Sequence, residues 1–188
     1  MKSKLSMIMV FAIVLMLGCS KKEIEDATDE TIVASAGTAD ITLKAGNSTF
    51  KLIGSCGWAV AANVKYIGAK HTDNNLRVFS ANFSIDELPT KTTTYTLVES
   101  NANDKDVTHV SMSITQLTGN KLFSYVSSNT SGKLTLVVDG NKVTANLSGI
   151  TLQPTILTDI QKLMYTSENV GDFANAGALS GTLTLYRK

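Results

Sequence analysis

Residues 134–148 read LTLVVDGNKVTANLS, and this stretch decides the fold class. Apolar side chains occupy every second position on both sides of a short polar break, at Leu134, Leu136 and Val138 before it and at Val143, Ala145 and Leu147 after it. Successive side chains of a strand point to opposite faces, so this period predicts two strands that each bury one face. The break Asp139-Gly140-Asn141 predicts that they form a hairpin, with Gly140 at a positive φ.

The same period and similar breaks recur along the chain. A second hairpin is predicted from residues 41–44 and 49–53 across Gly46-Asn47, and further strands are predicted at residues 58–66, 76–83, 95–98, 110–116, 122–126 and 179–186. Short strands separated by polar turns at intervals of about 8 to 12 residues are typical of sandwiches and barrels. We therefore predict a mainly β domain, either an antiparallel β-sandwich or a β-barrel, of roughly 8 to 10 strands.

One segment near the C-terminus has a different period. Ile156, Leu157, Ile160, Leu163 and Met164 recur at helical spacing after Pro154, which predicts one short amphipathic helix that begins at Pro154 or Thr155. Its polar face has a single Lys and no Arg, whereas helices that lie on membranes are usually cationic. We therefore expect its apolar stripe to pack over an open edge or end of the β-structure, with a membrane-surface role as the alternative.

The first 18 residues have the features of an export signal. Lys2 and Lys4 precede an uncharged run over residues 5–17, and Gly18 stands before Cys19. The run is shorter than the roughly 20 apolar residues of a membrane-spanning helix. A small residue followed by Cys resembles the lipobox of bacterial lipoproteins, although Met16 stands where that motif usually has Leu. The resemblance implies a signal peptide over residues 1–18 and an acylated Cys19 as the mature N-terminus, with a secretory signal without lipidation as the alternative.

The residues after Cys19 are polar and have no period that would bury a face. Residues 20–30 read SKKEIEDATDE, so residues 19–36 are predicted to be a flexible tether. Lys22 followed by acidic residues resembles the export tag of surface lipoproteins in the Bacteroidota, and a plain solvated linker is the alternative. Ser20 fits delivery to the outer membrane. We expect a protein anchored to the outer membrane by its lipid, and the sequence leaves open whether it faces the periplasm or the cell surface.

Residues 37–188 are predicted to form a single β-rich domain. Leu88-Pro89 leads to TYTL at residues 94–97, SGKLTL occupies residues 131–136, and LSGTLTL occupies residues 179–185. On these segments the domain resembles the small lipoprotein domains of unknown function that are common in the Bacteroidota. The shared motifs are structural, so the resemblance implies no catalytic residue.

The charge of the chain argues against nucleic acid as a partner, and its cysteine content argues against an intramolecular disulfide. The leader holds two of the 17 basic side chains, so 15 remain beside 16 acidic ones, and no basic stripe exists to bind nucleic acid. With Cys19 lipidated, Cys56 is the remaining thiol, and no intramolecular disulfide is expected. The setting Gly54-Ser55-Cys56-Gly57-Trp58 superficially resembles a cysteine-protease nucleophile, but Gly57 stands where that family has an aromatic residue. We expect Cys56 to be a packed structural thiol.

The sequence predicts no catalytic, cofactor or metal site. Asn101, Asn103, Asp104 and Asp106 gather oxygens, yet Lys105 lies among them and the Gly and distant Glu of an EF-hand are missing. A solvated hairpin turn is the preferred interpretation. His71 and Asp73 are too few ligands for a structural zinc site.

Two classes of function follow. The first is a non-catalytic binding or structural module of the cell envelope, whose partner is a glycan, an envelope protein or a small apolar ligand. Its candidate ligand-facing aromatics are Trp58, Tyr66, Tyr95 and Tyr125, with core packing as the alternative for each. A barrel with an open interior would make it a lipocalin-like carrier.

The second class is an envelope hydrolase that uses Cys56 or the carboxylate of Asp86 or Asp104. An enzyme needs titratable groups that converge in one pocket, and no such constellation is evident in the sequence. We therefore expect that the protein is not an enzyme and that it requires no cofactor.

Overall fold

The computed structural model describes residues 37–61, 64–100 and 105–187. The predicted leader, Cys19 and the tether lie outside the described residues, as does Asp104. The elements are β1 (Gly37–Ala45), β2 (Ser48–Ala61), β3 (Val64–His71), β4 (Arg77–Phe83), β5 (Thr93–Leu97), β6 (His109–Thr118), β7 (Lys121–Val126), β8 (Lys133–Asp139), β9 (Lys142–Asn146), β10 (Ile150–Pro154), α1 (Asp159–Lys162), β11 (Thr166–Ser167), a 3-10 helix (Gly171–Ala174) and β12 (Gly177–Tyr186). Within these ranges, no helix has both the length and the apolar character needed to cross a membrane.

Nine of the strands form a closed barrel. Their order is β1-β2-β3-β4-β6-β5-β8-β9-β12, and β12 pairs with β1 to complete the ring. Neighbours in the ring are antiparallel except β5 and β6, which are parallel. The prediction of a mainly β domain is therefore confirmed, and the barrel, not the sandwich, is the architecture found.

The two ends of the barrel differ in strand number. The edge of β6 that faces away from β4 pairs with β5 near His109 and with β7 over residues 113–118. The edge of β12 that faces away from β1 pairs with β9 over residues 182–186 and with β10 over residues 177–179. The strands β7 and β10, which are the partners of β6 and β12 near the β1–β2 turn, also pair with each other. The end that holds the β8–β9 turn thus has nine strands, whereas the end that holds the β1–β2 turn has eight.

The interior of the barrel is a packed core. Alternate residues of the wall point inward, and many of these side chains have no accessible surface, among them Ile41, Leu52, Ile67, Leu97, Ile114, Leu134, Leu136, Val143 and Leu183. A side chain that lined a water-sized cavity would have surface accessible to it. The fully buried side chains therefore leave no water-sized space beside them, and together they fill the barrel interior.

Aromatic clusters close the core at both ends. At the eight-strand end, the rings of Phe50 and Phe123 stack with centroids 4.9 Å apart, and Phe173 packs edge-on against Phe123, also at 4.9 Å. The guanidinium of Arg77 covers the outer face of this stack, 5.0 Å from the Phe50 centroid. At the nine-strand end, a second cluster consists of Trp58, Phe83 and Tyr95.

Both predicted hairpins are confirmed, and one strand prediction is wrong. Gly46 and Gly140 have φ values of 56° and 58° in the turns of the two hairpins. Residues 58–66 are not one strand, because β2 ends at Ala61 and β3 returns from Val64, which pairs with Ala61. Asn101, Asn103 and Asp104 of the predicted solvated hairpin turn lie outside the described residues, and the flanking strands β5 and β6 are parallel. The strands β10 and β11 were not predicted.

The predicted amphipathic helix is a single turn. Thr158 and Gln161 form a capping box, in which Thr158 N–H donates to Gln161 Oε1 at 2.8 Å and Gln161 N–H donates to Thr158 Oγ1 at 3.4 Å. Leu157 is buried, but Ile156 and Leu163 are 83% and 85% exposed. The prediction that the apolar stripe packs on the barrel is therefore wrong, because the chain leaves the helix after one turn to pair β11 with β7.

Candidate functional site

The segment between β10 and β12, residues 155–176, crosses the eight-strand end of the barrel, and we call it the cap segment. The Asp172 carboxylate accepts hydrogen bonds from Asn47 N–H at 3.2 Å and from the Ser48 hydroxyl at 3.4 Å, in and beside the β1–β2 turn. From inside the barrel, the Tyr125 hydroxyl reaches the carbonyl oxygens of Phe173 at 2.5 Å and of Asn175 at 2.8 Å. These contacts hold the cap segment against the end of the core.

A side-chain amide joins the cap segment to the barrel wall. On β7, residues 125–126 pair with β10 and residues 121–122 pair with β11, which leaves Ser124 between the two partners. Asn169 fills this gap. Its Nδ2 donates to Ser124 O at 2.6 Å and to Thr155 O at 3.1 Å, and its Oδ1 accepts from Ser124 N–H at 3.3 Å.

The cap segment presents large apolar side chains to solvent. In the part of the chain that the structure describes, eight large hydrophobic residues are exposed, and four of them lie in this segment. They are Ile156 at 83%, Leu163 at 85%, Met164 at 54% and Val170 at 67%. Single exposed apolar residues are ordinary on a protein surface, but such a concentration is typical of an interaction site.

A pocket of about 580 Å³ lies in the same region. Its walls include Pro154, Ile156, Leu157, Lys162 and Tyr165. None of the residues that line it belongs to the core cluster of the barrel. The pocket is therefore an external feature of the cap segment and does not open into the barrel interior.

Three of the four candidate ligand-facing aromatics are core residues. Trp58, Tyr95 and Tyr125 are 6%, 2% and 0% exposed, and burial raises the pKa of both tyrosines. Tyr66 lies on β3 and is partly exposed, with its ring beside Gly68, where an added Cβ would lie 2.8 Å from a ring carbon. Core packing, the alternative interpretation, applies to the first three.

The candidate nucleophile Cys56 is buried in the wall between β1 and β3. Its Sγ lies 3.2 Å from Thr38 O and 3.3 Å from Thr184 O and donates toward these carbonyls. Burial raises the pKa of the thiol to about 11, so it is protonated at neutral pH. A protonated, inaccessible thiol is a poor nucleophile, which agrees with the structural role expected for Cys56.

The other candidate polar sites make local contacts. Asp86 is exposed and paired with Lys65 Nζ at 2.6 Å, and this ammonium group lowers the pKa of the carboxyl. His71 Nδ1 accepts from the N–H of Asp73 at 3.1 Å, so these residues share a local turn. Across residues 37–61, 64–100 and 105–187, no three His, Cys, Asp or Glu side chains are placed to hold a metal ion.

The cap segment was only partly visible in the sequence. The apolar residues from Ile156 to Met164 marked it, but their helical spacing indicated packing against the core and not exposure. Asn169 had no sequence signal, since its role depends on a gap between two strand partners. No family model, curated protein or solved structure matches this chain.

Proposed function

We propose that this protein is a lipid-anchored, non-catalytic binding module of the bacterial cell envelope that binds its partner through its outer surface. The observation that carries this proposal is the contrast between a barrel interior filled by buried side chains and a cap segment whose apolar side chains face solvent. A binding surface of this kind needs no internal cavity.

The support for the anchor comes from the N-terminal sequence. The leader, the small residue before Cys19 and the polar tether together form the pattern of a bacterial lipoprotein, and the resemblance to Bacteroidota lipoproteins favours the outer membrane. Stable attachment takes more than one acyl chain, which proteins of this type carry. The partner in this proposal is the membrane itself or an envelope glycan or protein.

The anchor is tested by metabolic labelling of the full chain with an alkyne-bearing fatty acid in a bacterium that processes lipoproteins. The wild type is expected to take up label and to fractionate with the membrane, whereas Cys19→Ala should do neither. Cys56→Ala is the matched control and should be labelled like the wild type, because Cys56 is buried. A Cys19→Ala variant that remained in the membrane would contradict lipidation as the means of attachment.

The barrel is compatible with a lipocalin-like carrier, which is the second candidate. The pocket of about 580 Å³ beside Leu157 and Tyr165 would be its binding site, since the axis of the barrel is filled. Titration with an apolar fluorescent probe distinguishes the two candidates. A carrier should bind the probe at one site that Leu157→Trp blocks by filling the pocket, whereas a surface binder should show weak binding that this substitution does not change.

The hydrolase alternative has less support. Cys56 is protonated at neutral pH and enclosed by the backbone of β1 and β12. Asp86 is an exposed carboxylate held by Lys65, and this pair favours a surface ion pair over a general base with a raised pKa.

A further inference from the structure

We propose that the exposed apolar side chains of the cap segment form a second contact with the lipid bilayer, which seats the eight-strand end of the barrel on the membrane. This inference rests on the proposed function, because the lipid at Cys19 is what would bring the bilayer within reach. It names a lipid surface as the partner of the cap segment.

The chemistry of the cap segment fits the boundary between headgroups and acyl chains. Ile156 and Leu163 are more than four-fifths exposed, and Met164 is about half exposed. Transfer of such side chains from water into an apolar phase is favourable, in proportion to the apolar surface removed from water. The neighbouring Tyr165 and the aliphatic stem of Lys162 are also suited to this boundary, because each combines an apolar body with a polar tip.

The charges at this end do not oppose contact with an anionic headgroup layer. Asp159, Glu168 and Asp172 belong to the cap segment. Lys162 pairs with Asp159 at 3.1 Å. Around the cap segment, the loop between β3 and β4 adds Asp73, and the adjoining strands add four basic side chains, at Lys44, Lys51, Arg77 and Lys121. Lysines near a membrane surface gain favourable energy from anionic lipids.

The chain outside the described residues is long enough for this geometry. Gly37, where β1 begins, lies at the nine-strand end, so the tether must reach past the length of the barrel for the cap segment to meet the bilayer. A strand of nine residues such as β1 is about 30 Å long. Residues 20–36 can span at most about 55 to 60 Å, which exceeds that length. The anchor also keeps the domain close to the surface, so a contact of only a few side chains is sufficient.

The test uses the full lipidated chain in vesicles of phosphatidylethanolamine and phosphatidylglycerol whose acyl chains carry bromine, a short-range quencher of tryptophan fluorescence. Leu163→Trp places a probe in the cap segment, and Val137→Trp is the matched control, because Val137 is an exposed apolar residue at the nine-strand end. The native Trp58 is buried and gives a constant background. We expect the fluorescence of the added tryptophan to fall at least twofold in Leu163→Trp and to stay nearly unchanged in Val137→Trp.

The outcomes distinguish the proposed membrane contact of the cap segment from attachment through the lipid at Cys19. If the protein floated with the vesicles but the Leu163→Trp probe was not quenched, the membrane contact of the cap segment would be contradicted, whereas the lipid anchor would not. Failure to float would count against both. If the probe stayed unquenched and the protein sedimented as a dimer, the surface would belong to a second copy of the chain, and the proposal would be wrong.

Discussion

The side chain of Asn169 pairs with the backbone of Ser124 as a neighbouring strand would. The carboxamide donates to Ser124 O at 2.6 Å and accepts from Ser124 N–H at 3.3 Å, across 45 residues of sequence. The Ser124 N–H, which would otherwise lie at a break in the ladder, is thus satisfied by a side chain, and the Ser124 C=O accepts from both Asn169 Nδ2 and Thr155 N–H. The same amide holds Thr155 at the start of the cap segment.

Asn169→Asp should therefore destabilise the protein. The substitution keeps the shape of the side chain but replaces the donor group with a carboxylate oxygen that faces two carbonyl oxygens. We expect a loss of about 1 to 3 kcal/mol in the free energy of unfolding, measured by urea denaturation. Asn120→Asp, at an exposed turn position, is the control and should change stability by less than about 0.5 kcal/mol. Equal effects of the two substitutions would contradict the role of Asn169.

Gly140→Val should be destabilising through backbone strain alone. Gly140 has a φ of 58°, and a Cβ added there would meet no atom within 4 Å. A β-branched residue resists this conformation, so we expect a cost of about 1 to 3 kcal/mol, or several degrees in melting temperature. Gly140→Asn is the matched control, because Asn tolerates positive φ, and it should cost clearly less. A cost for Asn as large as that for Val would point to a contact instead of strain.

The two faces of the β8–β9 hairpin should respond differently to truncation. Leu136 has no accessible surface and faces the core, so Leu136→Ala should cost about 2 to 5 kcal/mol through the cavity that it leaves. Thr144 lies on the outer face of β9 and is partly exposed, and Thr144→Ala should change the melting temperature little. Thermal melts that showed similar losses for the two variants would mean that a partner covers the outer face.

The thiol of Cys56 should react slowly in the native protein. It is 6% exposed and remains protonated at pH 8, so both access and thiolate content are low. Iodoacetamide should modify it at least tenfold faster in denaturant than in buffer. Rapid modification of the folded protein would show that the wall between β1 and β2 opens and would revive the nucleophile interpretation.

Stability should fall at alkaline pH, with Cys56 as one cause. The pKa of its thiol is about 11 in the folded state and 9.0 as the ordinary value, so the unfolded chain ionises first as the pH rises. The contribution of the buried, protonated thiol to the free energy of unfolding is complete below pH 9. It is lost between pH 9 and 11, by an amount on the order of 2 kcal/mol. Cys56→Ala should be less stable at neutral pH but should lose less between pH 9 and 11. Tyr95 and Tyr125, whose raised pKa values act in the same direction, remain in both proteins.

Much of the barrel wall could be predicted from side-chain alternation, whereas its closure could not. Leu134, Leu136 and Val143 lie on the inner face as their period indicates. The hairpin between β2 and β3 was not predicted because apolar residues continue through Ala61 and no glycine or proline marks a turn there. The pairing of β1 with β12 depends on the strand count and stagger of the whole sheet, which no local pattern encodes.

The candidate site was recognised as a segment but assigned to the wrong environment. Helical spacing of Ile156, Leu163 and Met164 normally indicates a buried stripe. Here one helical turn is followed directly by the pairing of Thr166 with Lys121, so the segment lacks the length to lay a stripe on the barrel. The aromatic residues Trp58 and Tyr125 could equally have been core or surface, because a strand pattern does not say which face meets a ligand.

The last strand of the fold has consequences for the order in which the protein can fold. β12 supplies the partner of β1, β9 and β10, and its pairing joins Thr184 to Thr38 at the other end of the domain. A chain that emerges from its N-terminus therefore exposes three open strand edges until its final ten-residue strand has appeared. Ring closure must wait until β12 has been synthesised, and contacts so distant in sequence make folding slow. Until then the open edges are sites of aggregation, and a chaperone that shields unpaired strands would raise the yield of the closed barrel.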